Sequence, residues 1–377
     1  MQVAIERTYY DFKDEVEKFV NEEIKPYAGN FDREQNLPRT IIDKLALKGY
    51  LSCTIPTRYG GSGLDNVSIA IINEVIGGAC SSTRSLLTVH GMCSIGILRW
   101  ANKEIKEEYL PKMATGEKIG AFALTEPLAG SDAKSINASA EIEGDYYVIN
   151  GEKKWITMAQ IADVFIVYAK CNGEITAFLL DRECKGLTIE PIKDLLGCRA
   201  SMLGKLIMKD CKVPKNKMLG RIGTGISHVA LNCLDYGRFS IACGCVGVAQ
   251  ACLEESIAYS RKRIQFGEPI KNNQLIRKMI AEMTVKIKAA RLLCINAAKL
   301  KDEIDMDSIM ETWTAKYYAS TMLSKITKDA LQIHGGNGIC SDYNVERYYR
   351  DGIINEIIEG STQIQELLIS KNAYNVY

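Results

Sequence analysis

A polar loop before residue 136 could hold a phosphate group or the edge of a polar heterocycle. The segment 122–135 reads FALTEPLAGSDAKS, in which Thr125 and Ser131 supply hydroxyl groups. Gly130 has no side chain and lets a ligand approach the main chain closely. Successive backbone N–H groups in such a loop can bind an anion or a polar ring edge. A Gly-Ser-Asp turn is also common without any ligand, so the loop by itself leaves both interpretations open.

A large aromatic ring and a single carboxylate follow further along the chain. KKWIT, residues 153–157, puts Trp155 and Thr157 at the end of a strand-like run, where a core tryptophan is the ordinary alternative. EIIEGSTQIQ sets Glu359 just before a glycine and a Ser-Thr pair that can cap a helix. A carboxylate there could act as a general base, although a solvated surface charge is the commoner case.

Two glycine-containing breaks separate apolar runs in the C-terminal part. RKRIQFGEPI, residues 261–270, interrupts a helical pattern with a Gly-x-Pro turn, and residues 330–351 contain Gly335, Gly336 and Gly338. These three glycines follow a helical pattern and not a strand, and no βαβ unit surrounds them. They therefore do not form a Rossmann dinucleotide fingerprint.

The composition is that of an ordinary globular protein. The chain has 377 residues, of which 47% are apolar and 25% charged, so it can bury enough apolar surface to fold. A formal net charge of +1 argues against a nucleic-acid partner, because phosphate binding needs an excess of Lys and Arg. No apolar run reaches the roughly 18 residues of a membrane span, and the acidic, amphipathic start is unlike a secretory signal.

Cysteine and histidine usage argues against disulfides and metal sites. The 13 cysteines are scattered without C-x-x-C pairs, which is typical of a reducing compartment, so we expect a cytoplasmic protein. The three histidines lie far apart. We therefore predict neither a metal site nor a Ser-His-Asp enzyme.

Hydrophobic periodicity divides the chain into three blocks. Residues 1–117 have helical spacing, residues 118–222 consist of short runs rich in Val, Ile, Phe and Tyr, and residues 223–377 return to long helices. This order predicts an α+β protein with an N-terminal helical domain, a middle antiparallel β domain of sandwich or barrel type, and a C-terminal helix bundle.

Local signals refine this division. Asn150-Gly151 and Asn172-Gly173 each lie between strand-like runs and predict two hairpins. In the last block the spacing predicts helices over residues 228–263, 274–301 and 307–335, and from residue 361 to the end.

Taken together, these segments resemble the acyl-CoA dehydrogenase family over nearly the whole chain. The family's first signature, small-apolar-hydroxyl-Glu-x-x-small-Gly-hydroxyl-Asp-x-x-small, matches from Ala123 to Ser135. Its second, Gln-x-x-Gly-Gly-x-Gly followed by spaced charges, matches from Gln332 through Arg347 to Asp351. The Lys-x-Trp-Ile-Thr and Arg-x-Gln-Phe-Gly elements match as well. The family fold, a helical domain, a β domain and a four-helix bundle, agrees with the three blocks.

The resemblance implies FAD as the cofactor. The segment from Phe122 to Ser131 would face the isoalloxazine, with the Leu124 backbone and the Thr125 hydroxyl at its polar edge. Trp155 would pack against the flavin, and Thr157 would bond near N5. The pyrophosphate and adenine would lie across a subunit boundary, held by Arg263, Phe266, Gln274, Gln332, Gly335, Gly336, Ser361 and Gln363. A cofactor shared in this way implies a homo-oligomer, and the family is usually tetrameric.

The same resemblance makes Glu359 the base that removes the substrate's α proton while flavin N5 accepts the β hydride. Some members carry the base on another helix, before the arginine of a D-x-E-R element; here Gly237 occupies that position and cannot serve. The pantetheine arm or the base would be framed by Ser131, Asp235, Arg238 and Gly360. A glutamate in a dry pocket has a raised pKa, which suits a base at neutral pH.

Arg84 bears on the identity of the substrate. In SSTRSLLTVH, residues 81–90, Arg84 and Thr88 share a helix face. Family members acting on simple fatty acyl groups carry small or apolar residues at this position, whereas those acting on glutaryl thioesters carry an arginine that binds the distal carboxylate. Arg84 either binds such a group or extends to the surface, and the sequence leaves both interpretations open.

The sequence thus predicts FAD-dependent α,β-dehydrogenation of a short, carboxylated or polar acyl-CoA, with an electron-transfer flavoprotein as acceptor. KKWITMAQIAD and RSLLTVH also resemble members found beside polyketide and peptide synthetases. Those oxidise polar acyl groups on an acyl carrier protein, such as hydroxy- or methoxymalonyl precursors, and oxygen is then an alternative acceptor. CoA and carrier protein present the same phosphopantetheine thioester, so both remain open. A non-catalytic scaffold is disfavoured, because Thr125, Trp155, Arg263 and Glu359 occur together.

Overall fold

A computed structural model describes residues 7–376 of the chain. The N-terminal part contains α1 (Arg7–Glu23), α2 (Ala28–Glu34), α3 (Arg39–Leu47), α4 (Asn66–Ala79), α5 (Ser81–Trp100) and α6 (Lys103–Ala114). Helix α4 begins where the Asp65 carboxylate accepts a hydrogen bond from the backbone N–H of Ser68 at 2.7 Å, a standard N-cap. Helix α5 is buried on nearly all sides. Its polar side chains therefore face other elements of the protein and not water.

The middle part is a single mixed β-sheet. Its strands are β1 (Gly120–Ala123), β2 (Ser139–Glu143), β3 (Tyr146–Ile156), β4 (Val164–Cys171), β5 (Glu174–Asp181), β6 (Leu187–Pro191), β7 (Gly204–Pro214) and β8 (Met218–Leu219). The order is β6-β7-β3-β2-β4-β5-β8, and β1 pairs with β4.

Two strand pairs differ from the expected antiparallel arrangement. Strands β1 and β2 both run parallel to β4, β1 along its first half and β2 along its end. The segment 124–138 between β1 and β2 therefore leaves the sheet as a loop instead of making a tight turn. The remaining pairs of this sheet are antiparallel.

The two Asn-Gly signals have different outcomes. The Asn172-Gly173 hairpin is confirmed: it joins β4 to β5 with φ of 53° and 82°, as a two-residue turn requires. The Asn150-Gly151 hairpin is wrong, because β3 continues through both residues. Gly151 lies at a bulge opposite β7, where a Cβ would come within 2.7 Å of the Ala138 Cα. Gly151 therefore lets two backbone segments pack closely, and it does not form a turn.

The C-terminal part is a helix bundle. It contains α7 (Leu231–Lys262), a short hairpin of β9 (Ile264–Gln265) and β10 (Glu268–Pro269), α8 (Gln274–Asp302), α9 (Ser308–His334), α10 (Val345–Ile357) and α11 (Thr362–Val376). A π-helical turn over Gly225–Ala230 leads into α7. The predicted helices are confirmed, and α10 is an additional one. The α+β class and the order of helical, β and helical parts are confirmed.

Helix α7 joins the two helical parts. A Cβ on Gly77 of α4 would lie 2.8 Å from the Cα of Gly244 on α7, so these backbones are in direct contact. Among the described residues, Gly225–Lys262 is the one helix long and apolar enough to cross a membrane, but 67% of its apolar window is buried inside the protein, as in a core helix.

Candidate active site

Glu359 lies in the turn between α10 and α11, in a backbone conformation that side chains rarely adopt. Its φ is 55° and that of Gly360 is 93°, two left-handed residues in succession. The carboxyl group lies against Gly237 of α7, because a Cβ on that glycine would be 2.8 Å from the Glu359 Cδ and closer still to Oε2. The missing side chain at Gly237 therefore makes the room that Glu359 occupies.

The environment of this carboxyl group suits a base at neutral pH. Oε2 is buried and accepts no hydrogen bond from the residues that the structure describes. Burial raises the pKa of Glu359 to about 7, although the positive charges of Arg238, Lys316 and Arg84 oppose the rise. A carboxyl group with this pKa and a free oxygen can take a proton and release it near pH 7.

The side chains of Arg238 and Lys316 bind the backbone of the turn that contains Glu359. Nε of Arg238 donates to the carbonyl oxygen of Glu359 at 3.2 Å, and its guanidinium lies 5.2 Å from the centre of the Trp313 ring. Nζ of Lys316 donates to the carbonyl oxygen of Gly360 at 2.7 Å. Burial lowers the pKa of Lys316 to about 8. The predicted role of Arg238 in framing Glu359 agrees with these contacts, while Lys316 was missed from the sequence.

Asp235 contacts a lysine and not Glu359, while its other predicted role, a contact with the pantetheine arm, stays a prediction. Its carboxylate pairs with Lys301 of α8, and the structure contains no hydrogen bond between Asp235 and Glu359. One oxygen, Oδ1, is buried and accepts no hydrogen bond from any described residue. Asp235 thus does not frame the base by direct contact.

Arg84 is buried, so the surface interpretation is wrong. It is 1% exposed. Its Nη1 donates to the hydroxyl of Thr88 at 3.1 Å and its Nη2 to the amide oxygen of Asn355 at 3.4 Å. The stem of Arg84 crosses Gly244, where a Cβ would lie 3.0 Å from the Arg84 Cδ.

A chain of polar groups continues from Arg84 across the interior. The Thr88 hydroxyl lies 2.6 Å from the hydroxyl of Ser240 on α7, and Ser240 donates to the amide oxygen of Asn73 on α4 at 2.6 Å. A continuous series of hydrogen-bonded side chains thus connects α4, α5, α7 and α10. The sequence predicted only its first pair, Arg84 and Thr88.

A buried ion pair fixes the loop that was predicted to face a flavin. Nζ of Lys153 lies 2.8 Å from Oε1 of Glu126, and the two side chains are 0% and 5% exposed. Lys153 also donates to the carbonyl oxygen of Leu124 at 3.1 Å, while Glu126 accepts from the backbone N–H groups of Asn137 and Ala138. Burial lowers the pKa of Lys153 to about 8, although the ion pair with Glu126 opposes the fall.

These contacts explain why a glutamate and a lysine accompany the two motifs. Glu126 and Lys153 hold both ends of the 124–138 loop on the sheet, and both side chains are buried. The neighbouring residues remain accessible: Ser131 is exposed and Phe122, Thr125 and Thr157 are half-buried.

Trp155 is not a core tryptophan. It is 50% exposed and has φ of 63°, so the backbone turns its indole out of the sheet. Nζ of Lys154 lies 4.6 Å from the ring centre on one face. An exposed indole beside a polar loop can stack on a flat, aromatic ligand.

A second group of predicted residues gathers at the far end of the bundle. The end of α7 and the end of α9 meet there, since Nδ2 of Asn337 donates to the Tyr259 hydroxyl at 2.9 Å. The β9–β10 hairpin follows, with Phe266 fully exposed at its tip. The exposed predicted residues at this end are Arg263, Phe266, Gln274, Gln332, Gly335 and Gly336. Ser361 caps α11, with its Oγ accepting from Ile364 N at 3.4 Å, and Gln363 is exposed.

Comparison with known proteins identifies this arrangement. Three family profiles match the chain: "Acyl-CoA dehydrogenase, N-terminal domain" over residues 7–117, "middle domain" over 121–211 and "C-terminal domain" over 223–374. The chain belongs to the acyl-CoA dehydrogenase family.

Relatives in the family cover nearly the whole chain. Human mitochondrial short-chain specific acyl-CoA dehydrogenase is 38% identical over 365 residues, 95% of this chain and 88% of that protein. The structure of a glutaryl-coenzyme A dehydrogenase in complex with glutaryl-CoA has a TM-score of 0.95 at 35% identity, covering 100% of this chain and 98% of that one. The prolyl acyl carrier protein oxidase AnaB has a TM-score of 0.93 at 29% identity, covering 98% and 100%.

Membership of this family establishes the protein's cofactor and the class of reaction that it catalyses. The enzyme is an FAD-dependent oxidoreductase that acts on CH–CH bonds, and two related structures hold FAD or FADH2. Acyl-CoA substrates and an electron-transfer flavoprotein are typical of acyl-CoA dehydrogenases. The accessible indole of Trp155 and the fixed loop before it fit a flavin ring in this structure.

Proposed function

We propose that this acyl-CoA dehydrogenase oxidises the Cα–Cβ bond of a short acyl-CoA whose far end carries a carboxylate or another strongly polar group. The observation that supports this is the arrangement along α7. The carboxyl group of Glu359 lies over Gly237, and the side chain of Arg84 lies over Gly244. Positions i and i+7 share a helix face, so a base and a buried cation flank one stripe of α7.

The spacing of these two glycines bounds the length of the acyl group. Seven residues of helix rise about 10.5 Å. The approach of a base to the α carbon takes about 3 Å, and a hydrogen bond from the guanidinium to a carboxylate takes about 3 Å. About 4.5 Å remains, and because an extended chain zigzags, each C–C bond of ~1.5 Å advances it by only about 1.3 Å, so this length takes three to four bonds. A glutaryl group has three bonds from its α carbon to the distal carboxyl carbon and a fourth to the carboxylate oxygen.

In this proposal Glu359 takes the α proton. The thioester carbonyl makes that proton acidic, and a pKa of about 7 lets Glu359 be deprotonated at neutral pH and still basic enough to act. Bound FAD supplies the acceptor for the hydride that leaves Cβ. Arg238 and Lys316 keep the carboxyl group in position by fixing the two carbonyl groups of its turn.

The residues proposed to hold FAD fall into two distant groups. Trp155 and the 124–138 loop would take the flavin, and Arg263 with the far end of the bundle would take the pyrophosphate and adenine. From Gly237 to the end of α7 is about 37 Å along the helix axis. The flavin must reach the substrate beside Glu359, which lies at Gly237, so Arg263 of the same chain is too far along α7 to hold the pyrophosphate of that FAD. This supports a homo-oligomer whose subunits share each FAD, and we propose the tetramer that is usual in the family.

A second candidate keeps the chemistry but changes the carrier. The similarity to AnaB, an oxidase named for a prolyl acyl carrier protein, supports a substrate attached to a carrier protein. The same slot would then receive a polar acyl group of the hydroxy- or methoxymalonyl type, and oxygen could accept the electrons. Anaerobic mixing with matched acyl-CoA and acyl-carrier-protein substrates separates the two candidates. Flavin bleaching by carrier-bound groups alone would overturn the CoA proposal.

The test of the polar acyl end uses Arg84→Met, which removes the charge and keeps most of the side-chain volume. We expect KM for glutaryl-CoA to rise about 30-fold or more, because a desolvated ionic contact is lost, while pentanoyl-CoA is oxidised as before. Arg99→Ala on the same helix is the control, since that guanidinium is exposed and bonds Asn232. An unchanged preference for glutaryl-CoA in folded, FAD-loaded Arg84→Met would contradict the proposal.

A further inference from the structure

The partners that hold Arg84 are all uncharged. Its guanidinium donates hydrogen bonds to the hydroxyl of Thr88 and to the amide oxygen of Asn355. Within residues 7–376 no carboxylate oxygen lies close enough to this guanidinium to form a salt bridge, for which the N···O distance is at most 4.0 Å. A buried guanidinium without a counter-ion is unusual, because burying a charge is costly unless it is paired.

Asn355 is itself rigidly held. It lies in the last turn of α10 and is 2% exposed. Its Nδ2 donates to the backbone carbonyl of Asp351 at 2.8 Å. Since the NH2 group is used in this way, the amide oxygen is the atom that faces Arg84.

The nearby carboxylates are occupied elsewhere. Oδ1 of Asp351 accepts from the backbone N–H of Cys198 at 2.6 Å, and the positive charges of Arg347 and Arg350 act on the same carboxylate. Glu359 interacts electrostatically with Arg84 but is the proposed base. The charge of Arg84 is therefore left for a ligand.

We infer that Asn355 is a specificity-determining positioning residue: its neutral amide orients Arg84 without neutralising it, so that the cation remains available for the anionic end of the acyl group. This inference rests on the proposed function. An aspartate at position 355 would have nearly the same shape but would form a charge-assisted ion pair with Arg84. The substrate carboxylate would then meet an already neutral pair and a like charge.

The experiment compares Asn355→Asp and Asn355→Leu with wild type on glutaryl-CoA and pentanoyl-CoA, two five-carbon acyl groups that differ in the terminal carboxylate. In Asn355→Asp we expect the ratio of kcat/KM for the two substrates to fall about 30-fold or more, mainly through KM for glutaryl-CoA. Asn355→Leu keeps the free charge but loses its orientation, so its ratio should fall by less. The kcat on pentanoyl-CoA is measured on the same samples, so that a loss of activity common to both substrates cancels in the ratio.

Asn232→Asp is the matched control, because Asn232 also accepts a hydrogen bond from an arginine, Arg99, outside this site. Retention of the wild-type ratio in folded Asn355→Asp would overturn the inference alone. If that variant does not fold, a wild-type ratio in Asn355→Leu would overturn it in the same way. A wild-type enzyme that does not prefer glutaryl-CoA would overturn both this inference and the polar acyl end in the proposed function.

Discussion

Replacing Gly237 with alanine adds a methyl group at the place where the proposed base lies. The new Cβ would be 2.8 Å from the Cδ of Glu359 and 3.0 Å from the Sδ of Met92. Ordinary contacts between such atoms need about 3.5–4.0 Å. The carboxyl group must therefore move by about 1 Å. Alanine suits the middle of α7 as a helix former, so the effect comes from the contact and not from the backbone.

A displacement of this size should be visible in the rate. A reacting group misplaced by 1 Å costs about 100-fold, and overpacking a filled interior costs about 1–3 kcal/mol of stability. We expect kcat of Gly237→Ala to fall about 100-fold with a smaller change in KM. The assay is anaerobic stopped-flow bleaching of the bound flavin by a short acyl-CoA, with FAD content and Tm measured on the same sample.

The control variant is Gly29→Ala in α2, whose added Cβ would meet only the end of the Arg33 side chain, at 3.5 Å. It should bleach like wild type. A folded, FAD-loaded Gly237→Ala protein that bleaches at the wild-type rate would refute the argument, because the base could then not depend on the space at Gly237.

Three further predictions concern charge. Since Glu359 must be deprotonated to act, kcat/KM should rise with pH and level off above its pKa of about 7, and a flat pH–rate profile would contradict this. Burial raises the pKa of Glu359 from 4.5 to about 7, so the buried, protonated carboxyl group adds to the unfolding free energy below pH 4.5, and this contribution is lost as the pH rises to about 7. In denaturant unfolding, the Glu359→Gln variant should not show this decrease of the unfolding free energy with pH. Lys153→Met leaves Glu126 buried without its cation and should cost about 3–5 kcal/mol of unfolding free energy. Adding Glu126→Gln should restore much of it, and an unchanged Tm in the single variant would show that the pair does not fix the loop.

The parts of the fold that could be predicted are those written as local patterns. Asn172-Gly173 was identified correctly because the turn and its two strands are consecutive in sequence. Asn150-Gly151 has the same letters, but β3 extends through it, and Gly151 contacts Ala138 at the end of the 124–138 loop. A packing requirement from a distant segment cannot be distinguished from a turn by local sequence.

Helix α10 was missed because its buried face is largely polar. Arg347, Asp351 and Asn355 are buried on it beside Val345 and Tyr348. Hydrophobic periodicity therefore gave no signal, although the family signature already included two of these charged residues.

The site was predicted in part for a related reason. Glu359 could be named from its motif, but the side of α5 that Arg84 faces could not, because a helix buried on all sides has no polar face to orient it. Lysine is ordinarily a surface residue, so nothing in the sequence indicates that Lys153 and Lys316 are buried. Their partners, Glu126 and the Gly360 carbonyl, are 27 and 44 residues away in sequence. Only the fold brings them together.

The most direct test of the account is the anaerobic bleaching of Glu359→Gln beside wild type. Glutamine keeps the shape of the side chain and removes its basicity, so the variant should fold, retain FAD and stay yellow when a substrate that bleaches the wild type is added. The rate should fall at least about 100- to 10,000-fold, as for loss of a general base. Bleaching of Glu359→Gln at the wild-type rate would show that another group takes the α proton.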